Sequence, residues 1–159
     1  MLLYHGSNVI VRKPILLRSD IKLDFGSGFY VTSSFDQAKR WADLTAKRRG
    51  NGAGCVTVYE FDGIATRNLS ILEFENPSVQ WLRFVSSNRK GISEPDQYDI
   101  VIGPVANDRT MPVISLYFAG IYDEDEAIKR LLPQKLKDQY AFKTEEALNA
   151  LTCKEVISI

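Results

Sequence analysis

The chain has few of the residues that bind metals or form cross-links. It contains two cysteines, Cys55 and Cys153, and a single histidine, His5. The two cysteines lack the short spacing of a zinc site, and one histidine does not supply the missing ligands. The sequence therefore predicts no metal site, and it indicates two reduced, partly buried thiols.

Long apolar runs and an excess of one charge are also missing. No stretch approaches the roughly 20 apolar residues that a membrane-spanning helix needs, and the N-terminus lacks a charged segment ahead of an apolar one. Twenty basic and twenty acidic side chains give a formal net charge of zero, so no overall field draws the protein to nucleic acid or to a membrane. We expect a cytoplasmic protein with no membrane partner.

The sequence also lacks repeats, linkers and the glycine-rich fingerprint of dinucleotide-binding folds. That fingerprint opens a helix, whereas Gly26-Ser27-Gly28 precedes an apparent strand. A length of 159 residues, 45% of them apolar, suffices for one packed core, and we predict a single domain over residues 1–159. Strands and short helices mix without regular βαβ spacing, which favours the α+β class.

Hydrophobic periodicity and capping patterns predict the elements of this domain. Ser34 and Gln37 form the Ser-x-x-Gln pattern of a capping box at a helix start. The β-branched and aromatic run from 55 to 61 predicts a strand. The full prediction has strands at 2–5, 29–32, 55–61, 69–74, 98–103, 139–143 and 156–159, and helices at 34–48, 79–87, 112–118, 123–132 and 145–151.

Two glycine turns follow one another near the N-terminus. A short apolar run leads to His5-Gly6-Ser7, and Gly26-Ser27-Gly28 leads into Phe29-Tyr30. Glycine lets the backbone approach a ligand closely, and a Gly-Ser step offers N–H and hydroxyl donors. Taken alone, each turn also suits a structural histidine or a plain hairpin. Together they predict a cleft that binds a polar ligand.

The pair resembles the first two motifs of the ADP-ribosyltransferase superfamily, in the branch typified by the poly(ADP-ribose) polymerases. Members carry His-Gly-Ser after the first strand and a Gly-x-Gly-aromatic-Tyr strand before a helix, here His5-Gly6-Ser7 and Gly26 to Tyr30. The chain also resembles a small bacterial domain family of uncharacterised function placed in that superfamily, through residues 98–108. The resemblance implies two antiparallel sheets that clasp NAD, the co-substrate, in a cleft flanked by short helices.

The resemblance also implies roles for individual residues. His5 would hydrogen-bond the adenosine ribose, and the Gly6 backbone would hold the nicotinamide amide. Tyr30 and Trp41 would sandwich the nicotinamide ring, although Trp41 also suits the inner face of its helix. Ala38 stands where the family often has a serine that binds the amide oxygen. The remaining predicted NAD contacts are Ser7, Gly28 and Thr32.

The third motif departs from the family pattern. Related enzymes place a carboxylate, usually Glu, at the start of a late strand, and Gln139 stands at that place. A carboxylate there stabilises the oxocarbenium-like cation and accepts a hydrogen bond from the ribose 2′-hydroxyl. The Gln139 amide keeps the acceptor but not the charge. The predicted triad is His5, Tyr30 and Gln139. Asp108 and Glu145 are candidates for a compensating carboxylate.

Two classes of function follow. The first is an NAD-dependent mono-ADP-ribosyltransferase or NAD hydrolase, acting on an intracellular target as a bacterial toxin or phage-defence effector, with an antitoxin as its partner. The second is a catalytically inactive module that binds NAD, ADP-ribose or a partner protein. A third reading, transfer onto nucleic acid, draws on the cluster Lys47-Arg48-Arg49. This cluster equally suits a solvated helix end.

Overall fold

The computed structural model describes residues 1–17, 22–50, 52–92 and 97–159. Within these ranges strands and helices alternate irregularly, which confirms the α+β class. The strands are β1 (Leu2–Ser7), β2 (Phe29–Val31), β3 (Cys55–Phe61), β4 (Ile71–Glu73), β5 (Ile100–Pro104), β6 (Asp138–Phe142) and β7 (Leu151–Ser158). The helices are α1 (Phe35–Arg49), α2 (Val79–Lys90), α3 (Met111–Phe118), α4 (Glu124–Leu131) and α5 (Glu145–Leu148).

The first sheet has the strand order β1-β3-β7 and is antiparallel throughout. The predicted last strand at 156–159 is too short, because β7 begins at Leu151 and pairs with the whole of β3. The predicted helix at 145–151 is correspondingly too long. The start of β7 carries Thr152, Lys154 and Glu155. These polar residues do not give the sequence pattern of a strand, because this edge strand is stabilised mainly by its pairing with β3.

The second sheet has the strand order β2-β6-β5-β4. Strand β6 pairs antiparallel with β2 and β5, whereas β4 pairs parallel with β5. The expectation of two antiparallel sheets is therefore wrong at this edge. Parallel neighbours need a crossover connection, and α2 lies between β4 and β5 in the chain.

Three groups of apolar side chains fill the layers. One lies between the two sheets and includes Leu3, Tyr59 and Phe142. A second lies on the other face of the second sheet, where α2, α3 and α4 pack, and includes Trp81. A third joins α1 to the outer face of the first sheet. In the described residues no helix is long and apolar enough to cross a bilayer.

Local chemistry sets the helix ends. The Ser34 hydroxyl accepts a hydrogen bond from the Gln37 N–H at 3.3 Å, as the capping pattern predicts. Helix α1 ends at Gly50, which is left-handed at φ 64°. Helix α2 runs past its predicted end at 87 and stops before Gly91, also left-handed at φ 69°. These glycines accept the positive φ that ends a helix at little steric cost.

Candidate functional site

Strands β1 and β2 meet in one isolated bridge and then separate. The Tyr4 N–H donates to the Thr32 carbonyl at 2.8 Å, and the Thr32 N–H donates back at 3.0 Å. Backbone groups alternate in direction along an antiparallel strand. The N–H and C=O of Gly6, two residues beyond Tyr4, therefore point to the same edge, toward Tyr30. The Gly6 backbone thus borders the gap between the two sheets.

His5 spans this gap. Its Nδ1 lies 2.7 Å from the Tyr30 carbonyl oxygen, and because a carbonyl can only accept, Nδ1 carries the proton. The ring stacks on Phe29, with 4.5 Å between ring centres. Burial lowers the pKa of His5 more than the hydrogen bond to Tyr30 raises it. The imidazole is therefore neutral at pH 7, with Nε2 as a hydrogen-bond acceptor.

Tyr30 is anchored by the glycine turn that precedes it. Its hydroxyl donates to the Gly26 carbonyl at 2.6 Å and accepts from the Phe25 N–H at 3.1 Å. Gly26 is left-handed at φ 77°, a conformation that favours glycine. The turn and the ring therefore hold each other in one orientation.

Tyr30 and Gln139 lie on one face of the second sheet. Tyr30 is paired directly with Ala141 across β2 and β6, and Gln139 is two residues from Ala141 on the same strand. Side chains two residues apart on a strand share a face. The pair are therefore diagonal cross-strand neighbours, about 7 Å apart at their Cα atoms.

The Gln139 side chain has a defined amide orientation. It is 4% exposed, and its Nε2 donates to Asp24 Oδ2 at 2.9 Å and to the Pro104 carbonyl at 3.5 Å. Both partners can only accept, so the nitrogen must face them. Within the described residues no donor reaches Oε1. The amide oxygen is therefore the free acceptor of this side chain.

The carboxylate beside Gln139 is Asp24, which is also 4% exposed. Its Oδ1 accepts from Arg89 Nε at 2.6 Å, and its Oδ2 also accepts from the Ala106 N–H at 3.0 Å. These donors and Gln139 satisfy a buried charge that would otherwise be costly. Sequence reasoning missed Asp24. Its only signal in the sequence is its place two residues before Gly26.

The two carboxylates proposed from the motifs lie elsewhere. Asp108 forms an ion pair with Arg40, and the Asp108 side chain is 85% exposed. Glu145 is exposed at the first position of α5. Neither contacts Gln139 in the described structure, and their candidacy as a compensating carboxylate stays a prediction.

Helix α1 packs directly on β1 at Gly6. A Cβ atom at Gly6 would lie 1.8 Å from the Ala38 carbonyl oxygen, so no larger residue fits there. Trp41 lies half-buried on this helix, one turn after Ala38. Gly28 has a similar restriction, because a Cβ atom there would lie 2.9 Å from the Phe142 carbonyl oxygen. Both glycines of the motifs thus have a packing role, whatever they bind.

Two of the predicted NAD contacts serve the local structure. The Ser7 hydroxyl accepts from the Val9 N–H at 3.3 Å and closes a small turn. Thr32 is fully buried, and its hydroxyl donates to Asp138 Oδ1 at 3.0 Å. It also accepts from the Ser34 N–H at 3.1 Å. The Thr32 side chain therefore serves the local structure and has no exposed surface, and its predicted NAD contact stays a prediction.

The described residues contain no group of three or more His, Cys, Asp or Glu side chains placed to hold a metal ion. Residues 1–153 match the family described as Protein of unknown function (DUF3990). No curated protein and no solved structure matches the chain. His5 reaches Tyr30 through the Tyr30 backbone carbonyl and stacks on Phe29, on the face of the second sheet that meets the first sheet. The Tyr30 ring and Gln139 lie on the opposite face, beside the buried carboxylate of Asp24. The structure thus brings Tyr30 and Gln139 together and joins His5 to them through backbone.

Proposed function

The chain belongs to the family described as Protein of unknown function (DUF3990), and for this member we propose the activity of an NAD-dependent mono-ADP-ribosyltransferase with an ADP-ribosyltransferase-like fold. NAD is the co-substrate, and the acceptor is an intracellular molecule. The proposed triad is His5, Tyr30 and Gln139. The role of a toxin or phage-defence effector, with an antitoxin as partner, belongs to the same proposal.

The observation that carries the proposal is the orientation of Gln139. Its Nε2 is held by Asp24 at 2.9 Å, and its Oε1 is left to accept a hydrogen bond on the face that carries Tyr30. A ribose 2′-hydroxyl is a donor that such an oxygen accepts. A hydrogen bond to a carboxylate also polarises the amide and strengthens Oε1 as an acceptor. Asp24 therefore supplies part of the negative potential that Gln139 lacks.

The reaction breaks the bond between nicotinamide nitrogen and ribose C1′, and the electron pair leaves with nicotinamide. Positive charge develops on the ribose, and an acceptor nucleophile then bonds to C1′ and loses its proton to solvent. Replacing a charged group by an uncharged one at such a position costs about 10²–10³ in rate. We therefore propose a slow transfer of single ADP-ribose units, without chain elongation.

The other groups fit the binding of NAD. Neutral His5 presents Nε2 as an acceptor to a ribose hydroxyl. The N–H and C=O of Gly6 offer one donor and one acceptor, which a carboxamide such as that of nicotinamide matches. The anchored ring of Tyr30 provides a flat surface for stacking, and Trp41 on α1 is the proposed second wall.

A second function is favoured by the same network. Asp24 accepts hydrogen bonds from Arg89, the Ala106 N–H and Gln139. This bond to Asp24 is a structural explanation for an uncharged amide at position 139. A catalytically inactive module that binds NAD or ADP-ribose would keep this arrangement. The two functions differ in whether the nicotinamide bond breaks.

Release of nicotinamide from NAD tests the proposal, measured by chromatography with and without cell lysate as a source of acceptor. We expect slow release that His5→Ala and Tyr30→Ala abolish and that the exposed control Glu146→Gln leaves unchanged. Equal release by His5→Ala and the wild type would contradict the assigned site. Saturable NAD binding without release would establish the second function instead. If the protein neither binds NAD nor releases nicotinamide from it, NAD is excluded as the ligand.

A further inference from the structure

A cationic pocket adjoins the candidate site at the end of the second sheet. Its volume is about 660 Å³, and its walls come from the first half of α1, the turn after β5 and the segment before β6. Lys137 lies two residues before Gln139, and Arg40 lies one residue before Trp41. The Val105 N–H also donates to the Lys137 carbonyl at 2.8 Å. The pocket lining is therefore continuous in the chain with β6, which carries Gln139, and is hydrogen-bonded to the residue that follows β5.

The charges that line this pocket are unbalanced. Arg40, Arg109, Lys135 and Lys137 face a single carboxylate, Asp108, which gives a formal net charge of +3. Asp108 pairs with Arg40. Among the described residues no carboxylate pairs with the other three cations. A chain with zero net charge thus concentrates positive charge in one concave place, which focuses its field on an anion.

The lining suits a phosphoryl group better than other ligands. None of the described lining residues is aromatic, and Pro133 is the apolar one, so the walls hold little that would retain a base or an apolar group. Arginine forks and lysine ammonium groups are the usual partners of phosphate oxygens. Gln37 lies in the first turn of α1, and helix N-termini add partial positive charge.

We infer that this pocket binds a phosphate of the molecule that accepts ADP-ribose, an inference that rests on the proposed function. The diphosphate of NAD would have to lie between the adenosine ribose at His5 and the nicotinamide ribose at Gln139. Neither β1 nor β2 contributes to the pocket lining. The lining comes instead from α1, the turn after β5 and the segment before β6, so we assign the pocket to the acceptor and not to the diphosphate of NAD.

The test compares two variants that each lose three exposed cations. The pocket variant is Arg109→Gln/Lys135→Gln/Lys137→Gln, and the control is Lys47→Gln/Arg48→Gln/Arg49→Gln at the other end of α1. Binding of inorganic pyrophosphate and, separately, of NAD is measured by calorimetry at low salt. We expect the pocket variant to weaken pyrophosphate binding about tenfold or more and to leave the NAD dissociation constant unchanged. The control should change neither.

The remaining outcomes separate the inference from the activity. Pyrophosphate binding that is absent, or weakened alike in both variants, would overturn the pocket. Competition between NAD and pyrophosphate, with both weakened in the pocket variant, would make the pocket the site of the NAD diphosphate and overturn the acceptor assignment. If the wild type binds pyrophosphate but not NAD, and the pocket variant loses pyrophosphate binding, the phosphate site is supported and the proposed transferase activity is contradicted. Thermal melting checks folding, and Lys135→Gln alone serves if the triple variant is unstable.

Discussion

Replacing Gln139 by glutamate introduces the carboxylate that the proposed transferase reaction would favour, yet we expect it to destabilise this protein. The new carboxylate would lie about 3 Å from Asp24, where Gln139 Nε2 now donates at 2.9 Å. Two like charges at that distance repel by roughly 5 kcal/mol at an effective dielectric of about 20. Arg89 and the Ala106 N–H remain on Asp24 and offset part of this. We expect a net loss of about 2–3 kcal/mol at pH 8.

The loss should depend on pH in a defined direction. Repulsion raises the folded-state pKa of the introduced carboxyl above its unfolded value of about 4.3. A group with a raised folded pKa contributes stability that is present at low pH and is lost as pH rises through the folded pKa. Gln139→Glu should therefore approach the wild type at pH 5 and fall below it at pH 8, because the protonated carboxyl donates to Asp24.

The free energy of unfolding is measured in urea for three proteins at pH 5 and pH 8. The wild type and Gln139→Glu are compared with Asp24→Asn/Gln139→Glu, in which one of the two charges is gone. The double variant should recover most of the stability at pH 8, and any gain in nicotinamide release should occur there and not in the single variant. Equal stability of Gln139→Glu and the wild type at pH 8 would refute the reasoning.

Three further predictions concern the neighbouring groups. Burial lowers the folded pKa of His5, so the contribution of the neutral ring to folding stability is present above about pH 6.5 and is lost as pH falls through the folded pKa. The difference in melting temperature between the wild type and His5→Gln should therefore shrink as pH falls, and a difference that does not change with pH would contradict this. Gly6→Ala should cost about 2–3 kcal/mol in urea unfolding because its Cβ would lie 1.8 Å from the Ala38 oxygen, whereas Gly63→Ala, with nothing within 4 Å, should change stability little; equal effects would contradict the packing. Tyr30→Phe leaves two backbone groups of the glycine turn unpaired and should lose about 1 kcal/mol, and unchanged stability would show that water replaces the hydroxyl.

Local sequence chemistry predicted the elements whose stability is local. Ser34 caps α1 at the predicted place, and the alternating residues of Cys55–Phe61 form the central strand of the first sheet. The segment from Leu151 reads as polar and weak because it is an edge strand supported by β3. The parallel pairing of β4 with β5 could not be predicted from local sequence either, because the relative direction of the two strands depends on the path of the chain through α2.

Some residues of the candidate site were also indicated by the sequence, and others were not. The resemblance pointed to His5, Tyr30 and Gln139. Strand register brings Tyr30 and Gln139 onto one face, whereas His5 meets Tyr30 through its backbone carbonyl. Asp24 was not predicted, because its contact with Gln139 joins residues 115 positions apart. The structural role of the Thr32 hydroxyl was not predicted either, because its partner Asp138 comes from a strand 106 residues later in the chain.

The Asp24–Gln139 contact also limits the order in which this site can change during evolution. A glutamate at position 139 costs least stability after position 24 has lost its charge, and a change at Asp24 alone leaves Arg89 partly buried without its partner. A lineage passing between the amide and the carboxylate form must therefore cross a less stable intermediate or change both positions nearly together. Among relatives, an acid at 24 and an acid at 139 should exclude each other.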